Sequence, residues 1–332
     1  MTSGQQRLLQ AAALAGGGAL AAIGIAVANP TVRAEAHRLR RFVRPLGAAT
    51  YGVPVPPPLP PGRTVVVPER GELFVRDTGG DGPAVLLLHG WGATADVNFF
   101  NAYPALEGSY RAVALDHRSH GRGLRAETAF TLEDCADDAA CLVESLGLEK
   151  VIVVGYSMGG PVGLLVAHRH RHLVAGLVMA ATALEFHSEF AERTLWRGLT
   201  VVEAGLRHGT GDGVVQRVLR EAIEKEPSLD SYRAWIAGEF RRAHVEGIVE
   251  AGRALSLFDA RDFATSLHLP AAVVLTTADR LVAPHKQRAV AEALKAPVLK
   301  LAADHDAPII EGKAFGAVIR AAVDHVAGQV AV

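Results

Sequence analysis

Cysteine is scarce in this chain of 332 residues, which holds only Cys135 and Cys141. Six residues apart in a segment patterned as a helix, they point to different faces, so the pair makes neither a disulfide framework nor a metal site and reads as two packed thiols. An excess of charge of one sign is also missing. With 34 basic and 35 acidic residues the formal net charge is −1, and no nucleic-acid motif is present, so a nucleic-acid partner is not expected. Internal repeats are absent too, and the only biased tract is an Ala/Gly stretch near the N-terminus. A hydrophobic content of 49% excludes disorder for most of the chain and allows one large α/β domain with an insertion, or two smaller domains.

Leu8 to Asn29 is a run of 22 uncharged residues, nine of them Ala and four Gly. As a helix it would extend roughly 33 Å, against about 30 Å for a hydrocarbon core. Arg33, Arg38, Arg40, Arg41 and Arg44 follow it, whereas Arg7 alone precedes it. That asymmetry favours a membrane-associated helix with the rest of the chain on the cytoplasmic side. Ala26-Val27-Ala28 resembles a signal-peptidase site, so export after cleavage is the alternative, and a soluble helix is the third reading. Tyr51 to Gly62 carries six prolines and reads as a semi-rigid extended linker. Residues 1–62 are therefore expected to precede the globular body.

Short apolar runs punctuate the remainder. Thr64–Pro68 and Glu72–Asp77 pattern as an opening pair of strands. Ala84–Leu88, Arg111–Asp116, Val151–Gly155, Val174–Ala180, Ala271–Thr277 and Val298–Ala302 pattern as buried strands, and Thr131–Leu146, Pro161–His170, Pro284–Leu294 and Lys313–Val326 as helices between them. Alternation of this kind predicts an α/β fold with a mostly parallel sheet. Glu185 to Leu267 breaks it with helical stretches alone. This divides the body into a core over 63–184 and 268–332 and a helical cap over 185–267, where insertions in open α/β sheets tend to overlie the ligand crevice.

Gly155-Tyr156-Ser157-Met158-Gly159-Gly160 directly follows an apolar strand. A G-x-S-x-G turn between strand and helix lifts the serine hydroxyl off the sheet, and the flanking glycines let neighbouring chain pass. A serine needs a base and a group that fixes the base. Asp279 follows the strand Ala271–Thr277, and His305 follows the next one. The order Ser157, Asp279, His305 is that of one established triad arrangement. His89-Gly90-Trp91-Gly92 follows Ala84–Leu88, so the backbone N–H groups of Trp91 and Met158 are candidate oxyanion donors. His89 and His117 read as structural supports. His168, His170 and His172 alternate around a helix end and make no metal site. Arg241, Arg242 and the other charges of the insertion read as a solvated face.

The H-G-W, D-H-R-x-H-G-x-G and G-Y-S-M-G-G blocks together make the chain resemble the α/β-hydrolase superfamily over about 63–328, in particular serine hydrolases of actinobacterial type. The resemblance implies an eight-stranded, mostly parallel sheet, Ser157 as nucleophile, His305 as general base and acid, Asp279 as its orienter, and no cofactor. Ser119 and Asp304 stand where such proteins usually carry glycine, and Asp304 bears on the basicity of His305. The expected activity is hydrolysis of carboxylic esters with apolar acyl or alcohol groups, including lipid-derived ones. Carbon–carbon hydrolysis and cofactor-free perhydrolysis, or haloperoxidase chemistry, share these motifs. Epoxide hydrolases and haloalkane dehalogenases carry Asp at the elbow, which Ser157 argues against. A non-catalytic ligand-binding protein on the same fold is the alternative of another class.

Overall fold

The computed structural model describes residues 52–125, 128–199, 219–242 and 244–330. The apolar run 8–29, its basic flank and the whole stretch 200–218 lie outside them. Among the described residues no helix is long and apolar enough to cross a membrane.

One sheet organises the body. Its strands are β1 Gly62–Val67, β2 Gly71–Asp77, β3 Ala84–Leu88, β4 Arg111–Leu115, β5 Val151–Tyr156, β6 Val174–Ala180, β7 Ala271–Thr276 and β8 Val298–Leu301, matching each run expected from the sequence. The eight strands lie in the order β1-β2-β4-β3-β5-β6-β7-β8. β2 runs antiparallel to β1 and β4, and all other pairs are parallel. β3, β5 and β7 are buried along their whole length because helices cover both faces. β1 and β8, at the edges, are mostly exposed.

Helices α1 Ala95–Phe99, α2 Tyr103–Leu106, α3 Leu132–Ser145 and α4 Gly159–Arg169 belong to the first half of the chain. Thr131 caps α3 by accepting the Asp134 N–H at 3.0 Å, with Glu133 and Asp134 in the first turn facing the positive end of the helix dipole. The insertion contributes α5 Phe190–Arg197, a helical stretch at 219–225, α6 Arg233–Arg241, α7 Val245–Leu257 and α8 Arg261–Ala264. The core then closes with α9 Pro284–Leu294, α10 Ala307–Ile310 and α11 Gly312–Ala327.

Side-chain alternation along the strands splits the core in two. Leu86, Leu88, Val153 and Leu177 pack with α3, α4 and α9 on one face, whereas Val85, Leu87, Val154 and Val178 pack with α1, α2 and α11 on the other. A third cluster joins the insertion to the core through Trp235, Ile236, Phe100, Ile309 and Ile310.

The charges of the insertion are not all solvated. Glu239 of α6 is buried, accepts the Thr94 hydroxyl at 3.0 Å and pairs with Arg122 at 2.5 Å and Arg242 at 2.9 Å. A carboxylate this far from water persists only when so partnered. Periodicity reports the exposed face of a helix but not a charge that finds its counterion on another segment. The linker differs as well. Pro57 is buried, Leu59 packs against the cluster joining core and insertion, and the carbonyls of Pro60 and Pro61 accept from Arg76 Nη1 and the Asp77 N–H at 2.9 and 3.2 Å. The packed body thus begins at Pro57, ahead of Arg63, because proline carbonyls can still accept although proline N–H groups are missing.

Candidate active site

Parallel strands bring β3, β5, β7 and β8 out at the same edge of the sheet, so residues that follow their C-terminal ends converge. Ser157 follows β5 with φ +52°, a left-handed backbone that a non-glycine residue adopts only where its surroundings enforce it. They do so here. The Ser157 N–H donates to Ala180 O at 2.9 Å, and its carbonyl accepts from Gly160 N at 2.9 Å and Thr182 Oγ1 at 2.8 Å. A Cβ at Gly155 would collide with the Gly159 carbonyl and one at Gly159 with the Leu88 carbonyl. These glycines therefore set how tightly α4 crosses β5 and β3.

Ser157 Oγ lies 2.9 Å from His305 Nε2, and His305 Nδ1 lies 2.9 Å from Asp279 Oδ2. Three sequence-distant side chains thus form one hydrogen-bonded line. Asp279 is itself held by four further donors: the N–H groups of Leu281 and Val282 reach Oδ1 at 2.9 and 2.8 Å, while the Thr276 hydroxyl and Gln287 Nε2 reach Oδ2 at 2.7 and 3.2 Å. Gln287, buried in α9, also accepts the Thr276 N–H at 3.0 Å and donates to Val282 O at 2.8 Å. Its position eight residues beyond Asp279 carries no recognisable spacing, whereas Thr276, three residues before the aspartate at a strand end, has the spacing of a local side-chain cap.

Burial opposes a proton on His305, but the charge and hydrogen bond of Asp279, with the charges of Asp304 and Asp306, outweigh it and raise the imidazole above its ordinary value. Asp304 accepts the His305 N–H at 2.8 Å and the Arg280 N–H at 2.9 Å, and pairs with the Arg280 guanidinium. Burial would push its carboxyl up, but those donors pull it below the usual range. Asp304 is thus an anion beside the base. A base whose folded value is raised is protonated at higher pH, so the acid limb of any His305-dependent rate lies on the alkaline side of a free histidine. Asp304→Asn is expected to move that limb to lower pH, read from rate-pH profiles of the two proteins; an unmoved limb would show that Asp304 does not act on His305.

The other expected residues surround this line. Gly90 packs on Ser157, since a Cβ there would lie 3.1 Å from Ser157 Cβ, and Trp91 is the next residue along the chain. The loop is pinned by Asn98 Oδ1, which accepts the Gly90 N–H at 2.8 Å, and by buried His89. His89 Nδ1 lies 2.8 Å from Gly90 O and its Nε2 accepts the His117 N–H at 2.8 Å. It therefore clamps two loops. Met158, fully buried, is the N-cap residue directly before α4. Tyr156 donates its hydroxyl to the His305 carbonyl. Ser119 has φ +61° with its side chain against Gly247 of α7, so a serine occupies the backbone conformation that glycine usually supplies. His170 instead pairs with Asp137 at 2.7 Å, and His168 stacks on Phe263.

Comparisons with known proteins bear on the same region. The profile of the alpha/beta hydrolase fold family matches residues 83–311. A pimeloyl-[acyl-carrier protein] methyl ester esterase of Sodalis glossinidius is 37% identical over 114 residues, 34% of this chain and 42% of that protein. A bifunctional esterase/perhydrolase of Acinetobacter calcoaceticus is 34% identical over 90 residues, 27% of this chain and 33% of that one. The chain thus spans less than half the length of these two relatives. The crystal structure of an enol-lactonase from Burkholderia xenovorans superposes with a TM-score of 0.68 at 24% identity, covering 80% of this chain and 100% of that one, a likeness of fold.

Proposed function

Because this chain belongs to the alpha/beta hydrolase fold family, we propose that it is a serine hydrolase that cleaves carboxylic esters through an acyl-enzyme on Ser157. The observation that carries the reading is the hydrogen-bonded line from Ser157 through His305 to Asp279, on a serine whose backbone is held in a left-handed conformation. In this scheme His305 Nε2 takes the Ser157 proton as Oγ attacks the carbonyl carbon. His305 Nδ1–H donates to Asp279, which stabilises the imidazolium as it forms. The N–H groups of Trp91 and Met158 receive the oxyanion, each worth roughly 3–4 kcal/mol in the transition state. His305 then protonates the leaving alcohol, and water, activated by the same imidazole, releases the acid.

Trp196 and Leu199 of the insertion lie around Trp91 and supply an apolar wall, which suits an apolar acyl or alcohol group; Leu195 shares α5 with Trp196, and Val202 and Leu206 lie outside the described residues. The methyl ester esterase and the esterase/perhydrolase among the relatives agree with this class of chemistry. With its N-terminal run 8–29, the protein is proposed to associate with a membrane, its catalytic body cytoplasmic. The protein should then sediment with membranes and cease to do so without residues 1–51; a processed, exported product would replace this reading with the alternative.

The reading is tested by initial rates on p-nitrophenyl esters from acetyl to palmitoyl, with Ser157→Ala as control and fluorophosphonate labelling alongside. Hydrolysis and labelling that vanish together in Ser157→Ala are expected. Labelling without hydrolysis of any ester would move the chemistry to carbon–carbon cleavage or, if peroxide restores turnover, to perhydrolysis. Absence of both in folded protein would leave a binding role.

A further inference from the structure

Helix α7 rests on two loops at the catalytic edge, each through a glycine. A Cβ at Gly247 would collide with Ser119, and one at Gly252 would lie 3.0 Å from Trp91 Cζ2 and 3.0 Å from Leu199 Cδ2. One turn before Gly252, the Ile248 carbonyl accepts the Trp91 indole N–H at 2.7 Å. The indole also meets Trp196 of α5, ring centroids 5.6 Å apart at 61°. Glu250, between these positions, accepts the Phe130 N–H at 3.1 Å. The half-buried indole is therefore contacted by two elements of the insertion, with a hydrogen bond fixing its depth, while its own backbone follows Gly90, which packs on Ser157. An interior helix glycine costs about 1 kcal/mol relative to alanine, and at Gly252 that cost coincides with a close approach of Trp91 and Leu199.

We infer that Gly252 is a positioning residue: the notch it leaves in α7 seats the Trp91 indole and thereby sets where the Trp91 backbone N–H points beside Ser157. The room is tight enough to matter. At 3.0 Å an added methyl forces its neighbour to move by a few tenths of an ångström, and oxyanion donors act only when they are within hydrogen-bond reach of the forming charge. Gly238 of α6 is the matched control, because a Cβ there meets nothing within 4 Å.

Gly252→Ala is expected to keep or raise Tm while lowering kcat about tenfold, with KM changed less than twofold. Gly238→Ala is expected to leave kcat unchanged. In a Trp91→Phe background, where a smaller ring has slack, Gly252→Ala is expected to cost less than twofold. An equal loss in both backgrounds, or a rise in KM alone, overturns the inference. This kinetic arm rests on the ester-hydrolase reading, so a second measurement stands apart from turnover. In full-length protein labelled with 15N-tryptophan, where Trp91→Phe assigns the signals, Gly252→Ala is expected to shift the backbone and indole N–H resonances of Trp91 together. A shifted indole with an unmoved backbone amide overturns the inference whether or not any ester is hydrolysed, whereas an inactive wild type with both resonances shifted discards the ester reading alone.

Discussion

Asp279→Asn is expected to lower kcat by about four orders of magnitude in a protein that still folds. The two backbone donors of Leu281 and Val282 at Oδ1 select the carbonyl oxygen of the new amide for that side. The NH2 group then occupies the place of Oδ2 and faces His305 Nδ1. An N–H cannot receive an N–H, so the imidazole must present Nδ1 as an acceptor and carry its proton on Nε2. That proton points at Ser157 Oγ, and the base is gone. The loss also removes the charge that stabilises the imidazolium. The Thr276 hydroxyl can rotate to accept from the new amide, but Gln287 Nε2 loses one acceptor and keeps Val282 O. Circular dichroism and a Tm lowered by only a few degrees, beside single-turnover rates down about ten-thousandfold, would bear this out. A loss below tenfold would mean that Asp279 does not set the His305 tautomer.

Acid should unfold the protein well above the pH at which carboxylates alone would do so. His89, His117 and His120 are buried within ring contact, with centroids 4.5 Å apart for His89–His117 and 5.4 Å for His89–His120. Burial pushes His89 down to about 4 and His120 down to about 3, and lowers His117 well below the ordinary value through burial and the charges of its neighbours. His89 uses Nε2 as an acceptor, so a proton there would break the bond to the His117 N–H. A histidine whose folded value is depressed leaves stability intact above its unfolded value near 6.5 and loses it progressively as pH falls towards the folded value. At 1.36 kcal/mol per unit, His89 and His120 together withdraw on the order of 5 kcal/mol by about pH 4.5. That is comparable with the whole stability of many domains. His305, raised by its carboxylates, works the other way, since its contribution is present below 6.5 and lost as pH rises through its folded value. Both ring nitrogens of His117 are buried without a hydrogen-bond partner. His117→Phe therefore removes a proton acceptor without removing a hydrogen bond, and should lower the midpoint of the acid transition followed by urea denaturation at successive pH values. An unchanged midpoint would show that His117 adds nothing to the acid sensitivity, leaving it to His89 and His120.

The strands were legible because five of them are buried on both faces, where an uninterrupted apolar run has no other use. Even the weaker β1 and β8 stood out between turn residues. Ser157, Asp279 and His305 could be placed from the same logic, since each follows a strand and parallel strands end together. What escaped was support that lies across the chain. Gln287 meets Asp279 from a helix, Asn98 holds Gly90 from another, and Glu239 finds Arg122 over a hundred residues away. Such pairs depend on how elements pack, and a linear pattern holds only each element's own period. The short helices α1, α2 and α10 escaped for a different reason: a turn or two of helix is too brief to display a period at all.

The docking of Pro57–Pro61 gives the chain a definite point of attachment. Leu59 packs against the cluster where the insertion meets the core, to which Ile309 and Ile310, only a few residues after His305, also belong. If the N-terminus is tethered, a tug along residues 52–56 is first borne by this seam and by the Arg76–Pro60 bond, before the paired residues of β1 and β2 carry any load. Tension at a surface would then be felt at the join between core and insertion before it reached the sheet.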